Sequence, residues 1–213
     1  MNCIHNETQL VAAVADVTAK EPRFKAVVDQ HGLPPLRRSQ PGLRSLLRIV
    51  TDQLISLRAA EAIWTRLQAE LEPFDADSIA AMPETGLKAL GLSGAKARTF
   101  RAVSHAVTMG QVRFDSLENT LDGDVLANLT AIKGIGPWTA DIYLLSAMGR
   151  ADAWPAGDLA LQAAAQSLFD LTERPQATVM TRLAETWRPW RSVAARLLWS
   201  HYRGLRGMTQ RVT

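Results

Sequence analysis

Apolar residues recur at three- and four-residue intervals almost from end to end of this chain, whereas β-branched, strictly alternating runs are scarce. A period near 3.6 collects such residues on one face of a helix, so the pattern predicts an all-α protein. Helices are expected over "TQLVAAVADVTAK" (8–20), "RFKAVVDQH" (23–31), "GLRSLLRIVTDQLIS" (42–56) and "LRAAEAIWTRLQAELE" (57–72), the last with Ser56 in a capping position. Short helices follow around 78–82 and 84–91, then longer ones over 95–110, 122–132, 137–149, 159–170, 175–187 and 190–204. No low-complexity linker and no fixed-period repeat interrupts them.

A sharp break in this pattern is "LTAIKGIGPWTA" (129–140), and "LPPLRRSQPG" forms a loop between the second and third helices. Gly134 and Gly136 permit backbone conformations that a Cβ would obstruct, so the turn between the flanking helices can be very short. Pro137 suits the first turn of the next helix, where its missing N–H costs nothing. A helix N-terminus with free N–H groups then stands beside Lys133 and two glycines, an arrangement that can hold a backbone phosphate. A bare G-x-G pair is also what an ordinary tight turn between two packed helices would use.

Composition narrows the partner. The 213 residues are 47% hydrophobic and 21% charged, enough for a globular protein with one large core or two smaller ones. No run approaches the roughly 18 apolar residues of a membrane span, and "MNCIHNETQ" lacks the order of a signal peptide, so an intracellular protein with no membrane partner is expected. The single cysteine, Cys3, excludes an internal disulfide, a cysteine-ligated zinc site and a four-cysteine iron–sulfur cluster. The net charge is only +3, but the cations are 19 arginines against 5 lysines, a mild pointer to a polyanion.

A second punctuated stretch, "ADAWPAGDLALQAAAQ", uses Pro155 and Gly157 to turn the chain and leaves Asp158 at the mouth of a helix. By itself Asp158 reads as an N-cap. A carboxylate fixed there, beside a sugar, can also stabilise positive charge developing at C1′ and orient a water. Asp141, inside the helix after the hairpin, and Asp152, before the turn, are weaker candidates for that role.

Taken together, "LTAIKGIGPWTAD" closely resembles the helix-hairpin-helix of the DNA glycosylase superfamily, with its Gly/Pro-rich loop and a downstream aspartate. The chain from about residue 40 onward fits that family, nearest to its DNA-3-methyladenine glycosylase II (alkylpurine) branch. The resemblance implies two helical lobes flanking a DNA-binding cleft. Residues 1–40 are expected to pack on the C-terminal lobe, 41–115 to form a lobe with a DNA-probing segment, and 116–213 to carry the hairpin and the catalytic aspartate. The family's aspartate lies about 20 residues beyond the hairpin in the pattern Pro-x-x-Asp, which Pro155 and Asp158 match.

Other roles follow from the same resemblance. Lys133, Gly134, Ile135 and Gly136 would face the DNA backbone. The carbonyls of Thr130, Ile132 and Gly134 would hold a monovalent cation, Na+ or K+, bridging to a phosphate, with no other cofactor required. Leu54 would be the wedge that fills the space of an extruded base, with Gln53 and Ser56 beside it, and Lys96 would face phosphate. Members that also cleave the backbone carry a lysine two residues after the second hairpin glycine, where this chain has Trp138. The resemblance therefore implies a monofunctional enzyme that uses water and leaves an abasic site, acting as a monomer on duplex DNA with alkylated bases.

Alkylated purines such as 3-methyladenine and 7-methylguanine are cationic and favour electron-rich rings. Of six tryptophans, Trp138 is the first candidate for the base pocket, Trp199 the second and Trp154 a candidate for its rim. The longer alkylpurine members begin with a β-rich domain for which this chain has no strand-like counterpart. Two other readings stay open: a non-catalytic DNA-binding protein that uses the hairpin as a phosphate clamp, and a glycosylase for another damaged base.

Overall fold

In the computed structural model, which describes residues 2–207, the described residues form twelve α-helices and two short 3-10 turns. The sole β feature among them is an isolated antiparallel bridge between Cys3 and Arg150. The expected all-α class is therefore the observed one, and the chain divides into two compact units that are not continuous in sequence.

The first unit comprises residues 1–38 and 149–213, of which 1 and 208–213 lie outside the described residues. Its helices are α1 (Glu7–Lys20), α2 (Pro22–His31), α10 (Leu159–Leu168), α11 (Ala177–Ala184) and α12 (Arg191–Leu205). Here α12 packs against α1, α2 and α10. The two chain segments are stitched by Ile4 N–H donating to the Gly149 carbonyl at 2.8 Å and Ala151 N–H to that of Asn2 at 3.0 Å. An aromatic cluster fills the interior: Trp187 stacks on Phe169 and meets Phe24 and Trp154 edge-on, with centroids 5.1–5.7 Å apart. Offset and edge contacts of this kind add to what the buried area alone contributes.

Residues 39–148 form the second unit. It holds α3 (Leu43–Asp52), α4 (Leu57–Glu70), α5 (Ala76–Ala81), α6 (Glu84–Ala89), α7 (Gly94–Thr108), α8 (Asp122–Thr130) and α9 (Pro137–Ser146). Leu46, Leu47, Leu67, Ile79, Leu87, Phe100, Leu129, Tyr143 and Leu144 are fully buried in it. The hairpin helices α8 and α9 pack on each other, and α9 also packs on α3. The expected division at residue 115 thus does not coincide with a unit boundary. The cause is polar as well as apolar: Tyr143 on α9 accepts the Gly42 N–H at 2.8 Å, and burial pushes its phenol up to about 12.

Most element ends fall within a few residues of the expected ones, and two differences matter. A 3-10 turn at Phe114–Asn119 occupies a stretch with no helical period, and α3 stops at Asp52 rather than running on to Ser56. The hairpin glycines also turn out to be unalike. Gly134 has φ +94°, and a Cβ on it would come within 2.1 Å of the Thr99 hydroxyl on α7, so it is required twice over. Gly136 has φ −94°, a conformation open to any residue, and a Cβ there would meet nothing within 4 Å.

Two predictions follow from this packing. Gly134→Ala must adopt a left-handed backbone and push α7 aside, and we expect a loss of roughly 2–4 kcal/mol in urea unfolding, against about 1 kcal/mol or less for Gly136→Ala. The second concerns His201 on α12, whose Nε2 lies 3.2 Å from the Ser167 hydroxyl on α10 and whose ring faces His31 of α2. Burial, and then the charge on His31, lowers the His201 pKa below 6.5. The unfolded chain then takes up that proton first as pH falls. Stability is complete above pH 6.5 and declines below it, and a His201→Gln variant should show a flatter pH dependence of the melting temperature between pH 7 and 5.

Candidate functional site

The residues singled out in the sequence separate between the two units, and each group is built by helix ends. In the unit 39–148, α8 ends at Thr130, the chain turns through Ile132–Gly136, and α9 begins at Pro137 with Gly136 as its N-cap and no capping side chain. The turn is closed by Ile135 N–H donating to the Ile132 carbonyl at 3.0 Å. Lys133 and Gly134 are exposed, and Trp138 is half-buried in the first turn of α9. Ile135, expected among the DNA-facing residues, has its side chain buried, pinning the turn to the core, and its amide donates within the turn.

Across α3 and α4 the same unit presents an apolar tip. Leu54 sits between the two helices with φ +56° and is 96% exposed, with Leu57 78% exposed beside it. A leucine in the left-handed region is strained, and such strain persists only where the surroundings dictate it. Those surroundings are specific. Gln53 Nε2 donates to the hydroxyl of Thr139 on α9 at 2.8 Å, and the Ser56 hydroxyl accepts the Ala59 N–H at 3.2 Å to cap α4.

Lys96 differs from expectation. Rather than standing in solvent, its ammonium donates to the backbone carbonyls of Thr51 and Gln53, at 2.8 and 2.7 Å. Burial lowers its pKa, with the charge on Asp52 acting in the opposite sense. Asp52 is itself raised by burial and held back from a larger rise by Arg48, which lies 2.9 Å away. The helix end at Asp52 therefore owes its position to a side chain on α7, 44 positions further along the sequence.

Asp158 stands in the other unit as the N-cap of α10. Its Oδ1 accepts the amides of Ala160 and Leu161, both at 2.9 Å, and the indole N–H of Trp199 on α12 at 3.2 Å. Three donors on one oxygen fix the plane of the carboxylate. The turn that delivers it is closed by Asp158 N–H donating to the Pro155 carbonyl at 2.9 Å. Gly157 within that turn is exposed, and a Cβ there would meet nothing within 4 Å.

The neighbouring candidates resolve differently. Asp152 is engaged by Arg191 through two bonds of 2.8 and 2.9 Å, and by Arg188, so it holds the start of α12. Trp154 is only 6% exposed and edge-on to Trp187, which places it in the aromatic core instead of on a rim. Trp64 and Trp187 are buried as well, and Trp190 donates to Asp16 at 3.0 Å. Trp138 and Trp199 remain as the tryptophans outside those structural roles. Among the described residues no group of three or more His, Cys, Asp or Glu could hold a metal ion, and no helix is long and apolar enough to cross a membrane.

Comparison with known proteins bears on this arrangement. Residues 47–189, from α3 to just before α12, match the family model described as HhH-GPD superfamily base excision DNA repair protein. A relative in Bacillus subtilis, the candidate DNA-3-methyladenine glycosylase YfjP, is 28% identical over 83% of this chain, which spans 64% of that protein's length. Among solved structures, the Schizosaccharomyces pombe 3-methyladenine DNA glycosylase Mag1 in complex with abasic DNA superimposes with a TM-score of 0.81 at 25% identity, covering 88% of this chain and 95% of that one. A DNA-3-methyladenine glycosidase from Bacillus halodurans gives 0.77 at 26% identity, covering 97% and 95%. The match extends over the hairpin, the Leu54 tip and the Asp158 turn together, and this chain belongs to the HhH-GPD superfamily of base excision DNA repair proteins.

Proposed function

We propose that the protein is a monofunctional DNA glycosylase of base excision repair, which hydrolyses the N-glycosidic bond of alkylated purines, 3-methyladenine and 7-methylguanine, in duplex DNA. The observation that carries this reading is the fixed carboxylate of Asp158, held by two amides and the Trp199 indole at the position that follows the family's hairpin. As the bond to the base lengthens, positive charge builds on C1′, and a carboxylate already oriented stabilises it without reorganising. The same group orients a water for attack on that carbon. The products are the free base and an abasic site.

The remaining residues fit around that step. Trp138 offers a π face to a cationic purine, and a cationic base is already a good leaving group, so stacking and one carboxylate suffice. Because Trp138 stands where an amine would be needed for a Schiff base, water is the nucleophile. Lys133 and the amides at the start of α9, next to Gly134 and Gly136, hold a DNA phosphate, which positions the duplex without reading its sequence. The carbonyls of Thr130, Ile132 and Gly134 are hard oxygen donors suited to Na+ or K+; that of Ile132 accepts one amide and keeps a second lone pair for such an ion. Leu54 enters the stack in place of the extruded base, which otherwise costs a few kcal/mol to unstack. The protein acts as a monomer on DNA inside the cell.

The test is release of free base from methylated duplex DNA, read by chromatography. Wild-type protein should liberate 3-methyladenine and 7-methylguanine, and Asp158→Asn, which keeps the N-cap but removes the charge, should be slower by about a hundredfold or more. Equal rates for the two would remove Asp158 from the mechanism. Binding to abasic DNA with no base released from any lesion would favour a non-catalytic clamp, and a covalent adduct trapped by borohydride would contradict hydrolysis by water.

A further inference from the structure

The left-handed, exposed leucine at position 54 poses a question of its own: what keeps a strained backbone and an apolar side chain in water. The chain on its N-terminal side is held from two directions. Lys96 on α7 places one ammonium against the carbonyls of Thr51 and Gln53, 2.8 and 2.7 Å away, two groups that the early end of α3 leaves in need of donors. From α9, the buried Thr139 hydroxyl accepts the Gln53 side-chain amide at 2.8 Å. Thr139 directly follows Trp138. The residue before Leu54 is thus fixed through both its backbone and its side chain, and the helix that carries Trp138 shares in the fixing.

We infer that Lys96, together with the Gln53–Thr139 bond, is a positioning device that holds the Leu54 tip ready for insertion into the duplex, and that Lys96 is not a phosphate contact. This rests on the glycosylase reading given above. A tip already in its working conformation does not have to be ordered when DNA binds, so more of the binding energy is left to drive base extrusion. An ammonium suits this task because it has three donors and no preferred plane, and can serve two carbonyls on one bent stretch of chain. Its charge also opposes the partial negative charge at the C-terminal end of α3. The lowered proton affinity of Lys96 agrees with a head group turned inward.

The device makes a prediction that separates it from a phosphate contact and from a merely structural lysine. If Lys96 acts through Leu54, its loss harms only substrates whose base must be extruded from a stack. Lys96→Met should slow single-turnover release from methylated duplex by about tenfold while changing release from the same lesion in single-stranded DNA by less than about twofold. Lys96→Arg should recover much of the duplex rate. In a Leu54→Ala background, Lys96→Met should add little further loss. The salt dependence of duplex binding should be unchanged, whereas loss of a phosphate contact would lower the slope of log K against log salt by about 0.9.

Equal loss on duplex and single strand, full additivity with Leu54→Ala, or the reduced salt slope would each overturn the inference. Thr139→Val provides the independent arm should Lys96→Met fold poorly, with a smaller but equally duplex-specific loss expected. Wild-type release separates the two levels of the reading. If wild-type protein releases no methylated base, the glycosylase reading fails and this inference with it. If it releases base and Lys96→Met matches it on duplex, this inference alone fails.

Discussion

A chain built almost wholly of helices must satisfy the four N–H groups and four carbonyls that each helix leaves over at its ends, and that constraint organises this protein. Several ends are closed by short polar side chains of the chain itself, as with Asn6, Ser56, Asp75 and Ser93. Three further ends bear on the proposed site. The N-terminus of α9 has Gly136 and no capping side chain, and a Cβ on that glycine would meet nothing within 4 Å. The C-terminus of α3 borrows its donor from Lys96 on another helix. At α10 the cap is Asp158, whose charge exceeds what a cap requires.

How much of this was legible in the sequence depends on the range of the interaction concerned. Helix existence was legible because the 3.6 period records one buried face per helix, and the Gly-x-Gly-Pro break was legible because proline and glycine act on the local backbone. The early end of α3 was not, since the apolar period runs on through Leu54 and Ile55 and only a lysine 44 positions away in the chain stops it. The same lysine looked like a surface cation for that reason. Nor was the burial of Ile135 legible, because nothing in the local sequence says that one side chain of the turn holds it to the core.

The tryptophans show the same limit from another side. Six similar side chains carry no label for core or surface, and only their company decides. Trp154 lies four positions before Asp158, near in sequence, yet its ring joins Trp187, Phe169 and Phe24. Trp199 is 41 positions away and reaches the carboxylate directly. Likewise the unit that holds Asp158 includes the first 38 residues, a stretch without a motif, because α1 and α2 cover α12 and thereby fix the helix on which Trp199 stands.

Asp158 draws these threads together, because the residue that caps α10 is also the one proposed to act on the sugar. A cap is best served by a neutral or charged oxygen alike, so asparagine, aspartate and serine are nearly equivalent at such positions. A group that stabilises a cationic sugar must be charged. The Ala160 amide, the Leu161 amide and the Trp199 indole all donate to Oδ1, so the bonds that cap the helix also set the plane of the carboxylate. Folding of α10 and orientation of the carboxylate are therefore the same event. That orientation needs no side chain beyond the aspartate itself and one indole from α12, which is why so short a stretch of sequence specifies it.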